Sequence, residues 1–411
     1  MDVIKMAIDV IQGFLKTGIK EQCLGCEACA QICPKNAILM IEDEEGFCYP
    51  KVNLDLCVSC GLCNKVCPIE NHPLKKNEEQ LAYGGYHKKK EIQIDSTSGG
   101  AFSALVDSWC DDNYVIFGAK ADDLNVYHSY IEDKKDIGIF RKSKYSQSAI
   151  GNSFIQAKKF LDEGKKVLFS GTPCQIAGLN NFLNNKNYEN LLTIEVICEG
   201  VPSPLFIRKM NEWYFDKNNS YIKSLDYRFT DKNRWDFEVM RIELNNGEVI
   251  KKDRWFNQYW AIWLDHLMSR PSCYHCPFTT KERLADITLG DLWGVHIYCP
   301  DLYSENRGAS LIICNTEKGN KVLNQASENL MFRQLDINEA IKYQSPLRNP
   351  IQMNSKRKDF ISDLNNQEID YKQICKKWGK PITIKTLLSK YVWGNRQKVK
   401  VWNIKSNKRR K

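Results

Sequence analysis

Between residues 80 and 345 the apolar positions switch repeatedly between a period of two and a period of 3.6. AYGGYH reads as a strand, GGAFSALVDSWCDD as a helix and NYVIFGAKAD as a strand. FIQAKKFLDEG places its apolar residues on one helical face and stops at Gly164; KKVLFSG follows as a strand, TPCQIAGLNNFLNN as a helix and LLTIEVICEG as a strand. ADITLGDLWG and ASLIICNT are strand-like again. The alternation predicts an α+β fold with an α/β-like body. Near the N-terminus, Ile4, Ile8, Ile11 and Leu15 fall at helical spacing and predict a short amphipathic helix docked on that body. NHPLKKNEE, residues 71–79, is polar throughout and reads as a linker.

Size and composition fit this picture. With 411 residues, 43% of them hydrophobic and 27% charged, the chain has the length for two or three domains and the composition of an ordinary globular protein. No run of about 18 uncharged apolar residues occurs, so no spanning helix is expected. Asp2, Lys5 and Asp9 interrupt the first apolar stretch and no small-residue cleavage site follows it, which argues against a secretory signal and for a cytoplasmic location. The net charge of +9 is unevenly spread: residues 391–411 hold eight lysines and arginines and no acid. The body is therefore near neutral, and nucleic acid is not an expected partner. The basic tail, with Trp393 and Trp402 in it, suits contact with an acidic redox partner or with the anionic face of a membrane; a solvated, frayed terminus is the alternative.

Seventeen cysteines change the picture most. CLGCEACAQICP places Cys23, Cys26, Cys29 and Cys33 before Pro34, and CVSCGLCNKVCP places Cys57, Cys60, Cys63 and Cys67 before Pro68. Both runs follow C-x2-C-x2-C-x3-C-P. Three thiolates on one tight loop grip three irons of one cube, and the fourth is carried away to ligate the other cube, as in bacterial ferredoxins. This assigns one [4Fe–4S] cluster to Cys23, Cys26, Cys29 and Cys67, and a second to Cys57, Cys60, Cys63 and Cys33. Gly25 and Gly61 allow the backbone to turn closely around sulfur. A structural zinc site would use paired C-x2-C knuckles rather than two four-cysteine runs closed by proline. Cys48, between the runs, is expected to be a small buried hydrophobe.

Four further cysteines sit at strand ends or beside proline: Cys174 in FSGTPCQ, Cys198 in VICEGVPSP, and Cys273 with Cys276 in RPSCYHCPF. A third [4Fe–4S] cluster on these four is the leading reading, with zinc or metal-free buried thiols as alternatives. Cys110, Cys299, Cys314 and Cys375 have no partner pattern and are read as structural. In STSGGAFSALV, the hydroxyls of Ser96, Thr97 and Ser98 and the flexible Gly99 and Gly100 precede a helix whose free N–H groups suit a phosphate. A plain Ser/Thr helix cap explains the same residues. The segment is not a G-x-G-x-x-G fingerprint. Asp286 and Asp291 flank a strand and either face a cofactor or cap turns; His275, between two cluster cysteines, reads as a supporting residue.

STSGGAFSALV, SKYSQSAIG, GKKVLFSGTPCQIAGL, ICEGVPSP, RPSCYHCPF and ADITLGDLWG, six segments in order across residues 80–315, resemble the beta subunits of coenzyme F(420)-dependent hydrogenases and dehydrogenases. The resemblance implies a ferredoxin-like domain over residues 1–75 fused to a mixed α/β flavin-binding body. In that body residues 80–160 contact the flavin and residues 161–345 carry the third cluster; residues 346–411 form a basic extension. It implies an oxidoreductase in which FAD and iron–sulfur clusters connect a ferredoxin or other redox protein with a small two-electron acceptor or donor, the deazaflavin or an organic substrate. It strengthens the third cluster on Cys174, Cys198, Cys273 and Cys276. Ser96, Thr97, Ser98, Gly99 and Gly100 match one flavin-contacting stretch, and Lys144 and Gln147 a second. No catalytic acid is identified. Relatives often have histidine after the cysteine of ICEGVPSP; here Glu199 stands between Cys198 and Gly200, so no histidine role carries over. Relatives also occur where the deazaflavin is lacking, some reducing a pigment precursor and others lying among polysaccharide biosynthesis genes. A non-catalytic electron-input subunit docked on a separate enzyme is the alternative.

Overall fold

The computed structural model describes residues 10–73, 79–230, 235, 238–303 and 307–393. Ile4 and Ile8 of the predicted N-terminal helix, part of the 71–79 linker and the tail from Gly394 onward lie outside them. Leu15 falls in a short helix, Gly13–Thr17.

Thirteen strands are described. β1 (Ile38–Glu42) and β2 (Cys48–Val52) form an antiparallel pair within the cysteine-rich segment. The body is built on a mixed eight-stranded sheet of β3 (Leu81–His87), β4 (Tyr114–Asp122), β5 (Asn125–Ile131), β6 (Lys166–Gly171), β7 (Leu191–Val196), β11 (Ile287–Asp291), β12 (Ser310–Cys314) and β13 (Leu330–Leu335). Its order is β13-β3-β12-β11-β7-β6-β4-β5. The four central strands, β11-β7-β6-β4, run parallel, and antiparallel strands close both sides. Strands from residues 80–160 and from residues 161–345 thus share one sheet. β8 (Ile222–Phe229), β9 (Val239–Leu244) and β10 (Val249–Lys252) make a separate antiparallel sheet.

The parallel strands are apolar on both faces because helices cover both. Val115, Phe117, Val167 and Phe169 pack under the helices Ser153–Asp162 and Pro173–Phe182, whereas their neighbours Ile116 and Leu168 face the helix Ala101–Trp109. All the strands and helices expected between residues 80 and 315 are present. The β8–β10 sheet was not legible. Its core, with Tyr227, Met240, Trp260 and Trp263, also takes in Phe360, Leu364, Tyr371 and Ile374 from the C-terminal region.

The cysteine-rich segment docks on the first of these faces. Leu24, Cys26, Ala28 and Val66 join the same core as Phe154, Phe169 and Ile176. Glu27 accepts hydrogen bonds from the backbone N–H groups of Ile150 and Gly151 (3.1 and 2.9 Å), and Gln31 accepts one from Phe154 (2.9 Å). Gln31 thereby satisfies the open N-terminus of the helix Ser153–Asp162 from outside, and Glu27 holds the turn just before it. Cys48 corrects the sequence reading: it is exposed. Phe47 and Tyr49 turn inward to pack beside Cys23, and the two-residue alternation of the strand turns Cys48 outward.

Candidate functional site

The two four-cysteine runs fold alike. Gly25 and Ser59 occupy equivalent positions, as do Glu27 and Gly61, and all four are left-handed (φ 69°, 54°, 60° and 68°). Each loop leads into a one-turn helix, Ala28–Ile32 and Leu62–Val66, and the two helices pack together. Burial raises the Cys26 and Cys29 thiols well above the ordinary range, and neighbouring thiolates add to it: Cys29, Cys67 and Cys23 around Cys26, and Cys23, Cys67 and Cys63 around Cys29. Cys63 is raised by burial and then by Cys57 and Cys60. Cys23, Cys26, Cys29 and Cys67 are thus electrostatic neighbours, as are Cys57, Cys60 and Cys63, and Cys63 also reaches Cys29. The Cys33 sulfur accepts from the Ala37 N–H at 3.3 Å. Among the described residues, no three His, Cys, Asp or Glu side chains converge as the ligands of a single ion would.

A third set forms where the body's loops meet. Cys174 occupies the first turn of the helix Pro173–Phe182, which Thr172 and Gln175 start with a reciprocal capping box and Pro173 at its first position. Cys198 lies just beyond β7, Cys273 sits within the turn Pro271–His275, and Cys276 directly follows that turn. Burial raises Cys198, with Cys273, Cys174 and Cys276 adding to it, and raises Cys276 to about 12, with Cys174 first among its neighbours. The buried Arg283–Glu195 pair fixes this set: Arg283 also donates to the carbonyls of Phe278 and Thr280 (2.7 and 3.1 Å), tying the loop after Cys276 to β7. One turn beyond Cys174 on the same helix, a Cβ on Gly178 would stand 3.1 Å from the Cys26 sulfur. The first set and the third therefore meet along one helical face.

The third set opens on a cavity of about 720 Å³, within the range of small-molecule sites. Ser96, Thr97, Ser98, Gly100, Lys144 and Gln147 line it together with Cys174, Cys198, Cys273 and Cys276. Gly99 does not. It is pinned between strands, its N–H donating to Ser310 Oγ (3.0 Å) and its carbonyl accepting from the His87 N–H (2.7 Å). The hydroxyls do not cap the following helix. Ser96 and Ser98 donate to the carbonyls of Ile92 and Ala309 (2.6 and 2.7 Å), Thr97 accepts from the Ser143 N–H (2.7 Å), and Ala101–Trp109 starts from left-handed Gly100 without a side-chain cap. The capping alternative is thereby excluded, and the bare helix start fits an anion. Lys144 donates to the carbonyls of Ile139 and Arg141 (3.0 and 2.7 Å), and burial lowers its pKa to about 8.

Of the two aspartates, Asp291 lines the cavity and pairs with Arg228 at 3.0 Å. Asp286 does not: it accepts from the backbone and hydroxyl of Thr193 (2.9 and 2.8 Å) and from Thr316 (3.0 Å), a bond set that locks strands and leaves nothing for a ligand. Glu199 lines the cavity, its carboxyl raised by burial and by Glu238. Sequence reasoning missed Arg228, Trp260, Trp263 and Trp293 on the wall. Arg228 lies on β8, and Trp260 and Trp263 on the helix Gln258–Leu264 packed against that sheet, whose folding back no local motif encodes; Trp293 stands just after β11 in ADITLGDLWG. It also missed His128, held between Ser148 Oγ and the Ser170 carbonyl (both 2.9 Å) and kept neutral by burial, with a pKa of about 4.

Residues 22–71 match the 4Fe-4S dicluster domain, which makes the N-terminal segment an iron–sulfur electron-transfer module. Residues 164–339 match the family described as the C-terminal part of the coenzyme F(420) hydrogenase/dehydrogenase beta subunit. Residues 164–339 thus carry that family's C-terminal domain, with the dicluster domain ahead of it in the same chain. Among solved structures, the xenon-derivatised F(420)-reducing [NiFe] hydrogenase complex from Methanosarcina barkeri contains a similar chain. The match covers 67% of this chain and 91% of that one, with 16% identity and a TM-score of 0.42. No curated protein matches the chain.

A Cβ added at Gly99 would lie 2.3 Å from the Gly85 carbonyl oxygen and 2.5 Å from the Ser310 nitrogen, both main-chain atoms that cannot swing aside. Gly99→Ala is expected to destabilise the chain by about 1–3 kcal/mol, read as a lower urea midpoint.

Proposed function

We propose that the chain is an iron–sulfur flavoprotein oxidoreductase. It exchanges electrons between a ferredoxin-like one-electron carrier and a two-electron partner, deazaflavin or organic substrate, through FAD in the large cavity. The observation that carries the reading is the shared wall: Ser96, Thr97, Ser98, Gly100, Lys144 and Gln147 face the same space as Cys174, Cys198, Cys273 and Cys276. These four thiols suit a third [4Fe–4S] cluster. When bound, flavin exchanges two electrons with one partner and single electrons with the other, and each cube carries one.

The chain's own residues supply the rest. At the outer end, Cys60, Leu56 and Val58 are exposed and give a partner protein an apolar face beside the second cysteine set. Cys23 and Cys26 are buried, which shields the first set from water. In the cavity, Lys144 and the start of the helix Ala101–Trp109 offer positive charge to phosphate groups. Trp260, Trp263 and Trp293 offer apolar surface for a ring system and exclude water from it. Electron flow in either direction uses the same residues. The exposed Leu56 and Val58 also favour the second reading, an electron-input subunit, which a copurifying enzyme would identify.

Cys174→Ala is expected to lower iron by about four atoms per chain while the N-terminal clusters keep their EPR signals; unchanged iron would remove Cys174 from the ligand set. The Lys144 ammonium is charged below about pH 8 and neutral above it. FAD affinity is therefore expected to fall about ten- to a hundredfold as pH rises through that value, and the step to vanish in Lys144→Met, as read by fluorescence titration. Stability of the flavin-free chain has the opposite sign. Between about 8 and the ordinary lysine value of 10.5 the unfolded chain binds more protons, so folding strengthens as pH rises.

A further inference from the structure

Arg270 is the bulkiest fully buried side chain among the described residues, with none of its surface exposed. A buried guanidinium ordinarily faces a carboxylate. The other deeply placed arginines do so: Arg228 with Asp291, Arg283 with Glu195, and Arg357 with Glu45. Arg270 does not. Its Nε donates to the Cys23 carbonyl (3.0 Å), Nη1 to Gln147 Oε1 (2.8 Å), and Nη2 to the Cys48 carbonyl (3.1 Å) and the Cys23 sulfur (3.5 Å). The guanidinium stands over the Tyr49 ring, 4.1 Å from its centroid. Glu27 feels this charge, but its oxygens are taken by the N–H groups of Ile150 and Gly151. The arginine's own carbonyl accepts from the Cys273 N–H at 2.9 Å. One residue thus holds Cys23 of the first set with its side chain and Cys273 of the third with its main chain. Its neutralising anion has to come from the thiolates.

We propose that Arg270 is the counter-ion, supplied by the C-terminal body, of the iron–sulfur centre on Cys23, Cys26, Cys29 and Cys67. This rests on the reading of Cys23 as a cluster ligand and is independent of FAD. One electron from a ferredoxin-class donor makes an already anionic centre more negative. A fixed cation at the sulfur, in surroundings of low dielectric, favours that reduced form and raises the potential. The guanidinium stays charged at every working pH, so its contribution does not titrate. The inner centre is thereby held at a higher potential than the same loop would give without the arginine.

The test is a redox titration followed by EPR on the full chain, purified without oxygen, with iron counted in each variant. Arg270→Gln removes the charge while keeping amide donors; one N-terminal centre is expected to move to a more negative midpoint and the other to stay. Arg270→Lys should fall between the two. Gln147→Glu puts a carboxylate against Nη1 with the arginine in place, and should move the same centre in the same direction with full iron. If Arg270→Gln loses its iron, Gln147→Glu decides alone. Unchanged midpoints at full iron content, or equal shifts in every centre, overturn the proposal. Absence of iron from the parent chain overturns the cluster reading with it.

Discussion

The docking of the cysteine-rich segment on one face of the eight-stranded sheet is the contact on which the rest depends. A two-cluster segment of about 50 residues has only a small core of its own. Here the sheet's core absorbs Leu24, Cys26, Ala28 and Val66, and the segment in turn closes the open helix start at Ser153 with Gln31 and holds the turn before it with Glu27. The same docking brings Cys26 against Gly178 and Cys23 against Arg270, so the inner sulfur set touches the two elements that carry Cys174 and Cys273. Burial, adjacency and charge at the inner set all follow from one interface.

From that interface the sulfur sets are graded. The outer set reaches the surface at Cys60, the inner set has Cys23 and Cys26 buried and Cys29 and Cys67 half-buried, and the third set faces the cavity. Exposure at one end and enclosure at the other are what the proposed relay between a protein carrier and a small molecule requires. The described residues include no helix long and apolar enough to cross a membrane.

What could be read from the sequence was what is local. The two proline-closed runs dictate their own loops, down to left-handed turns at Ser59 and Glu27 where glycine is not available. Strands β3, β4, β6, β7, β11 and β12 were visible because their alternation or continuous apolar character is short-range. Cys48 was misread because its burial depends on which neighbour turns inward, and Phe47 and Tyr49 outcompete it. Gly99 looked like a ligand-contacting glycine, but two strands approach it so closely that its role is in packing. Arg228, Arg270 and the tryptophans of the cavity wall were invisible because their partners lie tens to hundreds of residues away in sequence, and only the closed fold gives them a purpose.

The central claim is that three thiol sets and one cavity form a single redox unit, and composition tests it most directly. Iron, sulfide and flavin per chain should be measured on protein purified without oxygen, together with its visible spectrum. About twelve irons with matching sulfide and about one FAD per chain are the predicted result. About eight irons and no flavin would leave the N-terminal segment as an electron carrier and contradict the account of the body.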